Sequence, residues 1–224
     1  NLTDESYGHT AKKYQLHQFY NLFNRLHMKN SLIHYGIVFT GGASILAIEI
    51  LGSRIMGPYF GVNLFLWTAL LSMTLIALAL GYFWGGILAD YKPSYKILAT
   101  LIFIAALWLF FLPHLTEPIS TFSRNFGYKL SILFTSLCLF TIPLGCLGCV
   151  TPYVLKLRAN SLNKVATDAG DLYAFSTIAS VLAALATGYF FIPFVGVKEF
   201  TNLIALALTL LAVLLYFYGR KQTN

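Results

Sequence analysis

The chain has 224 residues, of which 58% are hydrophobic and only 10% are charged. An average soluble domain is about 45–50% apolar and about 25% charged, so this composition excludes an ordinary soluble protein. It also excludes a disordered chain, because disordered segments are poor in apolar residues and rich in charge. The composition therefore indicates an integral membrane protein.

Six stretches of 19 to 35 residues contain no Asp, Glu, Lys or Arg. About 20 apolar helical residues cross a bilayer core that is about 30 Å thick, so each stretch provides one span. The strands of a barrel would instead give short segments of alternating hydrophobicity. The sequence predicts an all-α integral membrane protein with six transmembrane helices, over residues 34–54, 63–90, 96–114, 128–157, 171–194 and 199–218.

An N-terminal segment (1–33) precedes the predicted membrane domain (34–218), and a short tail (219–224) follows it. In the N-terminal segment apolar residues recur at helical spacing, at Leu16, Phe19, Tyr20, Phe23 and Leu26. A basic amphipathic helix ahead of a first span is typical of a helix that lies in the membrane interface. The alternative is a helix that packs against a partner or against loops of the same chain.

Lys and Arg are distributed unequally between the two sides of the predicted bundle. With six spans both termini face the same side, which holds 11 of the 15 Lys and Arg residues, against 4 on the other side. Short loops that are rich in Lys and Arg stay in the cytoplasm. We therefore predict a multi-pass protein of the plasma (inner) membrane with both termini cytoplasmic. The net charge of +7 follows mostly from this asymmetry, and it requires no nucleic-acid partner.

Glu49 and Arg54 place charge inside the first predicted span. A charge in the bilayer core is costly, so each such residue is a candidate functional site. Two roles fit Glu49: a gating or substrate-contacting group in a central cavity, or one half of a structural ion pair between helices. Tyr173 and Ser176 of the fifth predicted span complete the candidate intramembrane polar site.

The second predicted span ends in a glycine motif followed by an acidic residue. Gly81 and Gly85 form a small-x-x-x-small face, which allows another helix to approach closely. Asp90, at the predicted cytoplasmic end, can accept hydrogen bonds from the N-terminus of a neighbouring helix. The motif resembles the cytoplasmic loop motif between the second and third helices of the major facilitator superfamily, in which the Gly and Asp stabilise one access state.

Prolines and glycines predict the shapes of the fourth and fifth spans. Pro143, Gly148 and Pro152 predict a kinked fourth helix in the interior, since freed carbonyls need partners inside a membrane. The fifth span carries a wide face of small residues that extends to Gly188 and closes at Pro193, which predicts tight packing.

No catalytic or metal-binding constellation is predicted. Cys146 and Cys149 form a C-x-x-C inside an apolar helix, without a second such motif or a nearby His, so we interpret them as packing residues. The pairs His34 with Glu49 and His114 with Glu117 lack a recognised catalytic spacing. The sequence predicts neither an enzyme nor a bound metal or cofactor.

These motifs occur in one order: Gly42 with Glu49 and Arg54, the Gly81 to Asp90 motif, P-x4-G-x3-P, and G-x-x-Y-A-x-x-T with Gly188 and Pro193. In this order the chain resembles the membrane domain of the spermidine-synthase-like multi-pass proteins, which are also described as fused facilitator/spermidine synthase proteins. The resemblance covers about residues 35–218 and implies a bundle similar to half of a facilitator-type transporter. Members often append a cytoplasmic aminopropyltransferase-like domain, whose Gly-rich cofactor loop is missing from this sequence.

The resemblance implies a domain that moves a small cationic amine or presents it to a cytoplasmic enzyme partner, with Glu49 as the cation-attracting group. Half-size transporters need a second half, so a homo-oligomer or another membrane or cytoplasmic subunit is implied. The alternative is a non-catalytic accessory or assembly subunit of a larger membrane complex, because the helix middles offer few polar groups other than Ser, Thr and Tyr.

Overall fold

The computed structural model describes residues 32–158 and 165–221, and every regular element in these ranges is helical. Six helices there are long and apolar enough to cross a membrane, which confirms the predicted all-α, multi-pass architecture. The predicted amphipathic helix before the first span lies outside the described residues, as does the end of the tail, 222–224. Contacts divide the chain into Asn1–Gly36, of which only the first turn of one helix is described, and Ile37–Asn224, which holds the bundle.

The six spans are built from eight α-helices and two short turns of other helix types. The first two spans are α1 (Leu32–Phe60) and α2 (Leu64–Tyr91). The third is α3 (Tyr95–Ser123) with a 3-10 turn (Arg124–Phe126), and the fourth is α4 (Tyr128–Gly148) with α5 (Val150–Arg158). The fifth comprises α6 (Val165–Ala186), a π-helical turn (Thr187–Phe191) and α7 (Ile192–Phe194), and the sixth is α8 (Val197–Lys221).

The predicted ends of the first and third spans were wrong, because both helices continue through prolines. α1 continues past Pro58 to Phe60, and the chain turns at Gly61, whose φ of 73° favours glycine. α3 passes through Pro113 and Pro118 and ends at Ser123, nine residues beyond the predicted end at 114. In apolar surroundings an unpaired backbone costs more than the distortion at a proline, so the helix continues.

Helix packing places α4 at the centre of the described bundle. α4 packs against α2 and α3, α3 packs against α8, and α5 packs against α2 and α6. α1 runs antiparallel to the fourth span, because Gly41 faces Val150 whereas Gly52 faces Phe140. The buried core consists of large apolar side chains such as Leu51, Leu70, Leu109, Phe140 and Leu144. Exposed apolar side chains cover the outside, as expected for a surface that faces lipid.

α2 touches the fourth span backbone to backbone at Gly81 and Gly85. An ideal Cβ at Gly81 would overlap the carbonyl oxygen of Gly145 and would lie 2.9 Å from the Cα of Gly148. At Gly85 it would lie 2.6 Å from the Cα of Cys149. At these two positions α2 and the fourth span are therefore too close for any side chain to fit between them.

Proline in α4 is compensated by a side chain of α3. Pro143 has no N–H, so the carbonyl of Leu139 loses the donor that an α-helix would supply four residues later. The indole N–H of Trp108 donates to this carbonyl at 2.9 Å. The bond satisfies a backbone group that neither water nor the helix itself can reach, and it fixes the register of α3 on α4.

The Trp108 bond predicts a non-additive effect of two substitutions. Trp108→Phe should lower the free energy of unfolding by about 1–2 kcal/mol, because the Leu139 carbonyl is left without a partner. In a Pro143→Ala background the new N–H of residue 143 can donate to Leu139, so Trp108→Phe should cost less. Denaturation in mixed micelles measures both values. An equal cost in the two backgrounds would show that the indole acts only by packing.

Candidate functional site

Glu49 lies in the apolar interior of the first span without a charge partner. It is three residues past the midpoint of Leu32–Phe60, which places it about 5 Å from the helix centre. Its side chain is partly exposed, and within residues 32–158 and 165–221 it makes neither an ion pair nor a hydrogen bond. A carboxylate at this depth is costly unless a proton or a cation neutralises it, and no described residue supplies that cation.

Arg54 does not supply that neutralisation. Its side chain is exposed on the following turns of α1, and no ion pair joins it to Glu49. All ion pairs between described residues lie instead at the opposite ends of the spans, around Asp90 and Arg158. A structural Glu49–Arg54 pair is thus not part of this arrangement.

α1 and α6 cross where a glycine meets two serines. An ideal Cβ at Gly42 would overlap the side-chain oxygen of Ser176 and would lie 2.7 Å from its carbonyl oxygen. The hydroxyl of Ser180 donates to the carbonyl of Gly42 at 2.9 Å. Ser176 therefore sits at a helix crossing two turns away from Glu49, and the exposed Tyr173 lies about one turn farther still.

The register of this crossing places Glu49 at about the height of the end of α6. Both α1 and α6 run antiparallel to the fourth span, so they are parallel to each other. Gly42 lies at the same height along the helix axes as Ser176 and Ser180. Seven residues farther along both helices, Glu49 lies at the height of residues 183–187. The segment of α6 at this height is the junction between α6 and the π-helical turn.

Thr187, the first residue of that turn, carries a buried hydroxyl without a partner. Six other described threonines, from Thr68 to Thr209, donate to the carbonyl four residues earlier. Thr187 is fully buried, and its hydroxyl makes no hydrogen bond to any described residue. The backbone here changes its pattern, since the N–H of Ile192 donates to the Thr187 carbonyl five residues back. π-Helical turns often occur at functional sites.

Most of the fifth span is exposed, contrary to the predicted tight packing. Only 11% of its most apolar stretch is buried, against 33–56% in the other five spans. Besides Thr187, its buried residues are Leu172 and Ala179, whereas Gly188 and Pro193 are exposed. The small residues form more than one face, and Ser176 and Ser180 lie on the face that meets α1.

The glycine motif of α2 leads to a network that joins three helices at one end of the bundle. Asp90 forms an ion pair of 2.7 Å with Lys156 of α5. The buried hydroxyl of Tyr153 donates to the Lys92 carbonyl at 2.5 Å and accepts from the Ser94 N–H at 3.1 Å. The partner of Asp90 is thus a lysine side chain rather than a helix N-terminus. We call this end of the spans the basic end.

Arg158 continues the network from α5 to α6. Its guanidinium contacts Asp168 at 3.1 Å and Asp171 at 3.7 Å. Lys156 and Arg158 were predicted only as part of the cytoplasmic excess of charge, and neither Tyr153 nor Thr187 was predicted as a site residue. A single Tyr or Thr in an apolar run does not show which neighbouring helix its hydroxyl will meet, so these two residues could not be predicted from the sequence pattern.

The fourth span is interrupted near the predicted glycine and prolines. α4 ends at Gly148, Cys149 forms a turn, and Pro152 lies in the first turns of α5. Cys149 is buried against Gly85, and its thiol donates to the carbonyl of Gly145 at 3.3 Å. The described part of the chain brings no three His, Cys, Asp or Glu residues together as metal ligands.

Comparison of the chain with protein-family models, with curated proteins and with solved structures finds no match.

Proposed function

We propose that this chain is the membrane domain of a carrier that binds a small cationic amine at Glu49. It moves the amine across the bilayer or presents it to a cytoplasmic enzyme partner. One observation carries the proposal: a carboxylate near the middle of a membrane span has no cationic partner among the described residues. Charged residues at such depth are typical of substrate and ion pathways.

The chemistry of the site favours a primary amine over other cations. An ammonium group neutralises the carboxylate and offers three N–H donors, so oxygen atoms near Glu49 add to its binding. The hydroxyl of Thr187 lies level with Glu49 and is buried without a partner in the described chain, which supports its use as a second ligand. A quaternary ammonium of similar size offers no N–H donor and should bind less well.

The assembly and its orientation follow from size and charge. Six spans resemble half of a facilitator-type transporter, so a working carrier requires a second copy or another subunit. The basic end faces the cytoplasmic side of the plasma (inner) membrane, because the excess of Lys and Arg lies at that end. The chain itself is not an enzyme and holds no cofactor in this proposal.

Uptake into vesicles tests the proposal directly. The purified chain, reconstituted into sealed proteoliposomes, should accumulate labelled putrescine above protein-free vesicles, and excess unlabelled putrescine should compete. Tetramethylammonium should compete much less. Binding to the detergent-solubilised protein, measured by equilibrium dialysis, detects presentation without transport. Absence of both saturable uptake and saturable binding would refute an amine-binding role.

A second candidate function is favoured by the exposure of the fifth span. A helix with only 11% of its apolar stretch buried offers a long face to a partner, and a Lys or Arg on a partner helix would neutralise Glu49 equally well. The chain would then be an accessory or assembly subunit of a larger membrane complex. Native mass spectrometry separates the two: a stable heteromeric complex supports the subunit, whereas a homodimer that binds putrescine supports the carrier.

A further inference from the structure

The membrane-facing surface between α3 and α8 contains an apolar groove of about 320 Å³. It is lined by Ala99, Thr100 and Phe103 of α3 and by Val213, Tyr216 and Phe217 of α8. The hydroxyl of Thr100 donates to the carbonyl of Lys96 at 2.9 Å and is thereby satisfied within α3. The groove is therefore suited to a hydrocarbon chain rather than to a polar ligand.

Two cationic residues continue the groove toward the basic end. Lys96 precedes Ala99 and Thr100 by three and four residues, and Arg220 follows Phe217 and Tyr216 by the same intervals. Residues at these spacings share a helix face, so both cations lie on the stripes that line the groove.

The two stripes meet at the head of the groove. An ideal Cβ at Gly219 would lie 3.2 Å from the backbone nitrogen of Lys96 and 3.3 Å from its Cγ. The rings of Tyr95 and Tyr218 pack edge to face beside this contact, with 5.1 Å between their centroids. The helices are thus joined where Lys96 and Arg220 stand, and tyrosines in this position are typical of the membrane interface.

Neither cation is neutralised by the described part of the chain. Three described carboxylates at this end already have partners, since Asp90 contacts Lys156 and both Asp168 and Asp171 contact Arg158. Neither Lys96 nor Arg220 forms an ion pair with any residue in 32–158 or 165–221. The groove therefore ends in two positive charges that have no ion-pair partner in the part of the chain that the structure describes.

We propose that the groove between α3 and α8 binds one anionic phospholipid of the surrounding bilayer. An acyl chain lies along the apolar lining, and the headgroup phosphate contacts Lys96 and Arg220. Charge complementarity identifies this occupant: a transmembrane helix from another protein would bring apolar residues to a groove that ends in two cations, neither of which pairs with a described carboxylate. Basic pockets at the ends of transmembrane helices bind anionic headgroups in this way. The proposal is independent of the role of Glu49.

Native mass spectrometry of the full chain tests the site with palmitoyl-oleoyl phosphatidylglycerol as the probe and the matching phosphatidylcholine as reference. Wild type should retain one phosphatidylglycerol in preference to phosphatidylcholine. Each Lys or Arg near a headgroup contributes about fivefold in affinity, so Lys96→Gln with Arg220→Gln should weaken phosphatidylglycerol binding about 25-fold. The double variant should bind phosphatidylcholine as wild type does.

Two matched controls separate a site from general attraction. Lys221 is the next residue after Arg220 on α8, and its side chain points about 100° away from that of Arg220. Lys221→Gln should therefore leave the affinity for phosphatidylglycerol within about twofold of wild type. Val213→Trp obstructs the groove and should abolish the bound lipid although both cations remain, whereas Leu214→Trp on the neighbouring exposed position should not. Circular dichroism verifies that each variant keeps its helix content. Equal losses in Lys221→Gln and in the double variant, or no loss in the double variant, would overturn the proposal.

Discussion

Replacing Gly85 by alanine should separate α2 from the fourth span and lower the free energy of unfolding by about 1–3 kcal/mol. The added methyl group would lie 2.6 Å from the Cα and 2.8 Å from the Cβ of Cys149, so the obstacle is the backbone of the fourth span and the first side-chain carbon rather than the end of a flexible side chain. Gly81→Ala should act in the same way, because its Cβ would meet the backbone of Gly145 and Gly148. Unfolding by sodium dodecyl sulfate in mixed micelles measures both variants.

Gly86 provides the matched control on the same helix. A Cβ at Gly86 has no atom within 4 Å, so alanine there meets no obstacle. Gly86→Ala should stabilise the protein by about 0.5–1 kcal/mol, because alanine loses less conformational freedom in a helix than glycine does. A loss of stability in Gly86→Ala as large as in Gly85→Ala would contradict a specific backbone contact between α2 and the fourth span.

Glu49→Gln should reduce the affinity for putrescine by about 150- to 5,000-fold, since removing one partner of a buried ion pair costs about 3–5 kcal/mol. Glutamine keeps the size of the side chain and its hydrogen-bonding capacity but loses the negative charge that neutralises the amine. Saturable uptake in proteoliposomes should therefore disappear at substrate concentrations that saturate wild type. Glu49→Asp keeps the charge on a shorter side chain and should retain part of the binding.

Glu117→Gln is the control for Glu49→Gln. Glu117 is another carboxylate within a described span, but it is exposed and lies near the end of α3 that is far from the basic end. Its replacement should leave uptake and binding unchanged. Wild-type uptake by Glu49→Gln, or an equal loss in Glu117→Gln, would show that Glu49 is not the amine-binding group.

The spans could be predicted from sequence because one physical requirement dominates them. Long uncharged runs have to satisfy their backbone in lipid, and helices do this without partners, so six helices follow from the positions of charges such as Arg54 and Asp90. The same requirement explains why the predicted ends near Pro58 and Pro113 were wrong. In water these prolines would favour a break, whereas in an apolar environment the remaining hydrogen bonds keep the helix intact.

The arrangement of the candidate site could not be predicted in the same way. The cost of a buried charge singles out Glu49, but the role of this residue stays a prediction. Spacing alone does not show that Ser176 meets Gly42 rather than Glu49, because that depends on the crossing of two helices that are distant in sequence. The π-helical turn at Thr187 and the bond from Trp108 to Leu139 likewise depend on which helices become neighbours.

Cysteine labelling tests most directly whether the bilayer is crossed six times with the basic end in the cytoplasm. In a variant whose three native cysteines are replaced by alanine, single cysteines are introduced in place of Lys92, Arg124, Lys198 and Lys221. A membrane-impermeant maleimide added to intact cells should label positions 124 and 198 at once, and positions 92 and 221 only after the cells are permeabilised. Labelling of 92 and 221 from opposite sides of the membrane would contradict the six-span arrangement.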